Sequence, residues 1–158
     1  MKRLFSHNIT VLILLVVLSG IVYLNSLNNG FHFDDFHYIV KNKYIRSLSN
    51  IPRFFIDIDT LSEDSAWHYR PLVLVSHTIN YSIGRLNPAG YHIMSLVFHI
   101  GTAFLLYLII RAMLVLHTSN FYVALSSALI FAVHPFNSEV VNYVTARSSV
   151  MSGFFYLL

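Results

Sequence analysis

Two adjacent carboxylates, Asp34 and Asp35, are the side chains of this sequence best suited to acid–base chemistry. They follow an uncharged apolar run by a few residues, so they lie close to the membrane surface if that run spans a bilayer. Adjacent acids there cost free energy unless they bind a cation, a cationic side chain or a proton donor. The pair is therefore a candidate general base, with Asp35 favoured because it lies farther from the membrane. The alternative is a loop acid beside an acid that caps a helical turn starting at Phe36.

Arg70 is a candidate for binding a phosphate group. A guanidinium can hold two phosphate oxygens at once; alternatively, Arg70 anchors the chain at the membrane interface together with Trp67 and Tyr69. It precedes a predicted amphipathic helix that lies on the membrane surface or re-enters the membrane. The apolar residues of that helix recur at helical spacing: Leu72, Val75, Ile79 and Ile83.

A further polar group follows the third apolar run and contains His134, Glu139 and Arg147. If one helix continues from Glu139, then Glu139, Tyr143 and Arg147 share one of its faces. The two charged residues would lie ~12 Å apart along the axis, too far to pair but able to flank one ligand. His134, Glu139 and Arg147 are therefore candidates for substrate binding. The alternative is a solvated helix end at which Glu139 complements the helix dipole.

Composition excludes several classes of site and partner. The chain is 56% hydrophobic and 11% charged, with a mean hydropathy of +0.61, whereas a soluble domain carries roughly 25% charged residues. It contains no cysteine, which excludes disulfides, thiolate nucleophiles and cysteine-based zinc sites. The net charge of +3 is spread along the chain, so nucleic acid is not an expected partner. The only cofactor considered is a divalent cation, Mg²⁺ or Mn²⁺, at Asp34 and Asp35.

The apolar runs predict an all-α polytopic transmembrane helix bundle. The expected spans are residues 9–27, 91–116, 121–136 and an incomplete fourth at 148–158, and residues 28–90 form a large loop with short helices. A cleaved signal peptide is the alternative for the first run, and His99 in the second is expected to bond to a neighbouring helix. Because the last run stops at Leu158, we expect the chain to be an inactive amino-terminal fragment of a longer membrane domain.

Sidedness follows from the basic residues that precede the first run. Lys2 and Arg3 place the amino terminus in the cytoplasm by the positive-inside tendency. Counting spans from there puts residues 28–90 and 134–149 outside. All seven acidic residues then face the same side of the membrane, which is the side expected to do the chemistry.

The order and spacing of these motifs resemble one family, over nearly the whole chain from Asn29. The matching segments are Asn29-Gly30-Phe31 to Asp35, Tyr69-Arg70-Pro71-Leu72, Asn87 to His92 with His99, and His134-Pro135 with Glu139 to Arg147. They are similar to the transmembrane and tetratricopeptide-repeat O-mannosyltransferase-like proteins and their bacterial relatives, which are GT-C glycosyltransferases. The resemblance implies transfer of a sugar, mannose, from a polyprenyl-phosphate donor to a protein or glycan acceptor on the extracytoplasmic face.

The resemblance places the acidic motif of the family on Asp34 and Asp35. A sugar on a lipid phosphate has a good leaving group, so the reaction needs a base for the acceptor hydroxyl and cations for the phosphate. Arg70 and Arg147 are the candidate cations. The rival functions are a non-catalytic membrane anchor for a carboxyl-terminal repeat domain and a segment of a transporter. The expected location is a bacterial plasma membrane, with the endoplasmic reticulum membrane as the alternative.

Overall fold

The computed structural model of the protein describes residues 2–60, 69–116 and 120–158. Within these ranges the secondary structure is helical and contains no strand, which confirms the predicted all-α fold. The α-helices are α1 (Lys2–Tyr23), α2 (Pro71–Gly84), α3 (Pro88–Met113), α4 (Asn120–Val133), α5 (Ser138–Asn142) and α6 (Arg147–Leu157). Shorter 3-10 turns are Leu24–Asn28, Tyr44–Arg46, Leu48–Phe55, Ile58–Thr60, Pro135–Asn137 and Val144–Ala146, and Phe36–Val40 is a π-turn.

The central helix is α3, because α1, α4 and α6 all pack against it. On α4 an alanine recurs at every fourth residue, and Ala124, Ala128 and Ala132 are all buried. Small side chains let helices approach closely where lipid supplies no hydrophobic driving force between them. Nε2 of the buried His99 lies 3.0 Å from the carbonyl oxygen of Ala132, which is the predicted bond to a neighbouring helix.

Helices of membrane-spanning length are present in the described part of the chain. His7–Asn28 and Pro88–Met113 are each long and apolar enough to cross a bilayer. Asn120–Val133 and Pro135–Asn142 form a third candidate if they count as one span, which is bent by 50°. The chain is therefore a multi-pass membrane protein. The sidedness of its loops and the fourth span stay predictions.

The segment between α1 and α2 folds around an apolar cluster of its own. Three of its side chains, Ile39, Ile45 and Phe54, are fully buried. They pack with Leu74 of α2 and with residues from α3 and the α5–α6 connection. This cluster holds the loop that carries the acid pair against the helices that follow it in sequence. Trp67, predicted to anchor the chain at the interface, lies outside the described residues.

The predicted amphipathic helix is α2, and its polar face points inward. Leu72, Ile79 and Ile83 are exposed on the outer side, whereas the polar residues Ser76, His77, Thr78 and Asn80 are buried. The helix begins at Pro71, which needs no backbone hydrogen-bond partner at this position. An apolar outer face and a polar inner face suit a helix that contacts lipid on one side and a buried polar group of the protein on the other.

The predicted continuous helix from Glu139 to Arg147 is wrong. Helix α5 ends at Asn142, and Tyr143 is extended, with φ −116° and ψ 114°. A 3-10 turn follows before α6 starts at Arg147. Glu139, Tyr143 and Arg147 consequently do not share a helix face. We call residues 143–146 the α5–α6 linker.

Candidate functional site

Asp34 lies on an exposed turn with a strained backbone. The preceding residue, Phe33, has a φ of +44°, in a region that costs a non-glycine residue about 1–3 kcal/mol. The Phe33 side chain is 85% exposed, and the Asp34 side chain is exposed as well. The backbone N–H of Asp34 donates to Oη of Tyr143 at 3.3 Å. The linker therefore anchors the backbone of this turn while the carboxylate stays accessible.

Asp35 is buried, with 1% of its surface exposed. Its Oδ1 accepts two hydrogen bonds from Thr145 of the linker, from the backbone N–H at 2.8 Å and from Oγ1 at 2.6 Å. Its Oδ2 accepts the backbone N–H of His32 at 3.1 Å. The turn Phe36–Val40 does follow Asp35, but the side chain makes no capping bond to it, so the predicted helix-capping role is wrong. Asp35 instead ties the first loop to the linker, 110 residues later in the chain.

Tyr143 contributes its hydroxyl group to the same junction. Partial burial raises the pKa of the Tyr143 phenol, so the hydroxyl stays protonated at neutral pH. Its oxygen then accepts the Asp34 N–H. Two adjacent acids are thus held by two side chains of one linker, Asp34 through its backbone and Asp35 through its carboxylate.

Arg70 lies at the mouth of an open groove between α2 and α6. Its Nη1 donates to Oγ of Ser148 at 2.9 Å. The groove has a volume of about 520 Å³. It is lined by Arg70 and the serines of α6 on its polar side, and by apolar side chains elsewhere: Leu72, Val73, Met151 and Phe155. Arg70 also lines a smaller cavity of about 10 Å³ together with Thr145, so Arg70 and Val73 are common to the groove and the cavity.

Arg147 does not lie in this groove, because its side chain is fully buried among α2, α3 and α6. All three guanidinium nitrogens donate to neutral groups of the protein. The partners are Oγ of Ser95 at 3.3 Å, Oγ of Ser76 at 3.0 Å, Nδ1 of His77 at 3.1 Å, Oδ1 of Asn80 at 2.8 Å and the carbonyl oxygen of Tyr91 at 2.7 Å. In this arrangement no nitrogen of Arg147 is accessible to a ligand, contrary to the sequence-based expectation.

Burial beside Arg147 determines the protonation state of His77. Burial lowers the pKa of His77 well below its usual value, and the charge of Arg147 lowers it further. The imidazole is therefore neutral, and its Nδ1 accepts from the guanidinium while Nε2 carries the proton. This polar cluster, defined here as Arg147 with its five partners, fastens the start of α6 to α2 and α3.

His134 and Glu139 are placed away from these contacts. Nδ1 of His134 accepts the backbone N–H of Phe136 at 3.2 Å and thereby caps the turn Pro135–Asn137. Glu139 is exposed in the first turn of α5, as expected for a carboxylate near a helix amino terminus. In the described part of the chain neither side chain forms a hydrogen bond or ion pair with Asp34, Asp35 or Arg70. Their role in substrate binding stays a prediction.

The described residues contain no group of three or more histidines and acids that could hold a metal ion. In addition, both oxygens of Asp35 already accept hydrogen bonds. A cation at the acid pair would have Asp34 as its accessible carboxylate ligand and would need further ligands from a substrate. The predicted Mg²⁺ or Mn²⁺ site stays a prediction.

Thr145, Ser148 and the polar face of α2 were missed by sequence reasoning. The signal for α2 is visible in the sequence, since Ser76, His77 and Asn80 interrupt an otherwise apolar helix on one side. Thr145 carries no comparable signal, because its role depends on a contact made across 110 residues.

The sequence is similar to several proteins named protein O-mannosyl-transferase. Tmtc1 of Drosophila melanogaster is 34% identical over 145 residues, which cover 89% of this chain. TMTC3 of Mus musculus is 32% identical over 91% of the chain, and tmtc2 of Xenopus laevis is 35% identical over 87%. The chain spans 16% of the length of each of these relatives.

The chain belongs to the transmembrane and tetratricopeptide-repeat O-mannosyltransferase-like family. No family model matches the sequence, and no solved structure matches it. The acidic motif that the resemblance to this O-mannosyltransferase-like family implies falls on two residues with different environments. Asp35 is buried and hydrogen-bonded, whereas Asp34 is exposed beside it.

Proposed function

We propose that this chain forms part of the catalytic site of a membrane glycosyltransferase. The reaction transfers mannose from a polyprenyl-phosphate carrier to a hydroxyl group of a protein or glycan acceptor on the extracytoplasmic face. The relatives described above are named protein O-mannosyl-transferases, which supports mannosyl transfer to protein. One observation carries the proposal: of two adjacent acids, Asp35 is locked by three donors and Asp34 is left exposed on a strained turn.

Asp34 is the general base in this proposal, in place of the Asp35 favoured on sequence grounds. The Asp35 oxygens are buried and already accept three hydrogen bonds, so they are less accessible to an acceptor hydroxyl than the exposed Asp34 carboxylate. Asp34 takes the proton from the acceptor hydroxyl while that oxygen bonds to the anomeric carbon. The bond from that carbon to the phosphate oxygen breaks, and the phosphate leaves with the electron pair. A single displacement of this kind inverts the anomeric centre.

Arg70 and the groove between α2 and α6 are proposed to hold the lipid phosphate. The guanidinium stands at one end of the groove, with Ser148 beside it. The apolar lining at Leu72, Met151 and Phe155 suits a polyprenyl chain. A positive group at the leaving phosphate stabilises the charge that develops as the bond breaks. Mg²⁺ or Mn²⁺ bound by Asp34 and the donor is the alternative source of positive charge, and removal of divalent cations with EDTA tests it.

The host membrane belongs to the proposal as well. The predicted bacterial plasma membrane finds no support among the relatives described above, which come from a fly, a mouse and a frog. They fit the alternative, the endoplasmic reticulum membrane. The acid pair would then face the lumen if the amino terminus is cytoplasmic.

Asn substitutions at the two acids test the catalytic assignment in the full-length polypeptide. Asp34→Asn keeps the shape of the side chain and removes its basicity, so mannose transfer from a polyprenyl-phosphate donor is expected to fall by ~10²–10⁴-fold without a change in melting temperature. Asp35→Asn is expected to lower both turnover and melting temperature, because Asp35 holds the linker. Asp59→Asn, at an exposed acid of the same loop, is the matched control and should retain wild-type activity.

The opposite result would contradict the assignment of Asp34 as the general base. If Asp34→Asn keeps more than about a tenth of wild-type turnover, it falls outside the range for loss of a general base. If both Asn variants do so, the acid pair is structural, and the non-catalytic membrane anchor becomes the better account of this chain.

A further inference from the structure

We infer that the α5–α6 linker is a positioning device for Asp34, with Thr145 and Tyr143 as its positioning residues. The inference rests on the proposed function, because it assumes that Asp34 is the group to be positioned. Neither linker residue touches the substrate in this scheme. Each acts through the turn that carries the base.

The first contact is between Thr145 and Asp35. Thr145 donates both its backbone N–H and its hydroxyl to one carboxylate oxygen of Asp35, and that hydroxyl contact of 2.6 Å is short. Hydrogen bonds to an ionised carboxylate are shorter and stronger than those between neutral groups. The other carboxylate oxygen holds the backbone N–H of His32. Thr145 thus closes a chain of bonds that begins one residue before the strained Phe33.

The second contact is between Tyr143 and the backbone of Asp34. The Tyr143 hydroxyl accepts the Asp34 N–H at 3.3 Å. The two linker contacts therefore hold the turn at neighbouring residues. A left-handed φ at a residue such as Phe33 persists only where the surroundings over-determine it, and these two contacts supply such surroundings. Asp34 is left with a fixed backbone and a free carboxylate.

The third contact fixes the linker itself. Arg147 follows the linker directly and is held by five neutral groups of α2 and α3. Val144, inside the linker, is fully buried in the same cluster as Ile39 and Leu74. The linker is thereby attached to the helices that form the groove. This arrangement keeps the base at a constant position relative to Arg70 and a bound donor.

Conservative substitutions separate positioning from a merely structural role. Thr145→Val removes the hydroxyl and keeps the shape, and Tyr143→Phe removes the hydroxyl that accepts the Asp34 N–H. In the full-length polypeptide both should lower kcat by ~10- to 100-fold. This is the effect expected when a hydrogen bond to a charged group, or to the backbone that carries it, is lost. The KM for the polyprenyl-phosphate donor should stay within about twofold. Thr145→Ser restores the hydroxyl and should recover kcat.

Matched controls come from residues of the same types outside the site. Thr102→Val removes a hydroxyl that bonds within α3. Tyr81→Phe removes the hydroxyl of a ring that packs against Arg85. Both controls should keep wild-type kcat. A structural effect of losing any buried hydroxyl would appear in the controls as well.

Amide hydrogen exchange provides a readout that does not depend on catalysis. Segment 32–35 should exchange at least about tenfold faster in Thr145→Val and Tyr143→Phe than in the wild type, because local opening becomes easier when its bonds are removed. Unchanged exchange in both variants overturns the inference, even if Asp34→Asn is inactive and the proposed function stands. Wild-type kcat in both linker variants, measured beside an inactive Asp34→Asn, overturns it as well. If Asp34→Asn is active, Asp34 is not the general base, and the proposed function fails rather than the positioning role of the linker alone.

Discussion

Replacing Arg147 by methionine is expected to destabilise the protein substantially. Methionine fills much of the same space and removes the donors that the polar cluster requires. Nδ1 of His77 and Oδ1 of Asn80 then lose their donor, and an unsatisfied buried acceptor costs about 1–3 kcal/mol. The two serine hydroxyls can rotate to other partners, so we count only these two acceptors, about 2–6 kcal/mol together. Removing a buried cation returns part of its desolvation cost, which leaves an expected net loss of about 3 kcal/mol.

Thermal and denaturant unfolding of the full-length polypeptide in detergent measure this loss. Arg53→Met is the control, since Arg53 is an exposed arginine in a surface ion pair, and it should unfold like the wild type. A double-mutant cycle with Asn80→Leu isolates the contact, because the double variant lacks both the donor and the acceptor. Its loss should be smaller than the sum of the two single losses by at least about 1 kcal/mol. An Arg147→Met protein within about 0.5 kcal/mol of wild type would refute this account of the cluster.

Three further predictions concern the groove, the topology and the response to acid. Arg70→Lys keeps the charge but loses the two-pronged geometry, so it should raise the KM for the polyprenyl-phosphate donor about tenfold with little change in kcat; an unchanged KM would take Arg70 out of the donor site. Because the chain lacks cysteine, single cysteines at Ser49 and Leu116 can be labelled with an impermeant maleimide, and only Ser49→Cys should react from the extracytoplasmic side. The lowered pKa of His77 means that below pH ~6.5 the unfolded chain takes up a proton that the folded protein does not, so stability should fall by up to about 1.4 kcal/mol per pH unit. His77→Gln should flatten that dependence, and an equally steep loss in the variant would assign it to another group.

The bundle could be predicted from sequence because its determinants are local. An uncharged apolar run of spanning length can satisfy its backbone in a membrane only as a helix. The runs 9–27 and 91–116 accordingly overlap the helical stretches His7–Asn28 and Pro88–Met113, which are long and apolar enough to span. The predicted start of the second span at residue 91 is late, because α3 begins at Pro88: the Asn87 side chain accepts the N–H of Ala89, and proline suits the first helical position. Each of these sequence signals lies within a few residues of the helix or helix end that it determines.

The site could be predicted only in part, because its contacts join distant segments. The sequence identified the acid pair and Arg70 by residue type, yet the difference between Asp34 and Asp35 arises from Thr145. Helical spacing grouped Glu139 with Arg147, but that argument assumed an unbroken helix, and the chain becomes extended at Tyr143. The sequence predicts a ligand-binding role for Arg147 because it lies at the outer interface, on the side that holds the acids. Its partners are neutral groups on α2 and α3, and helical periodicity identified only the apolar face of α2.

The buried position of Arg147 also sets an order for the assembly of the protein in the membrane. Each of the groups that receive its guanidinium is synthesised at least 52 residues earlier, on α2 or α3. All of these groups are therefore synthesised before the arginine that they bind. Until it docks against them, the start of α6 carries an unpaired charge, and such a charge costs about 2.5–3.5 kcal/mol where it lies at the centre of a membrane-spanning helix. The helices made first thus provide the docking site for the start of α6.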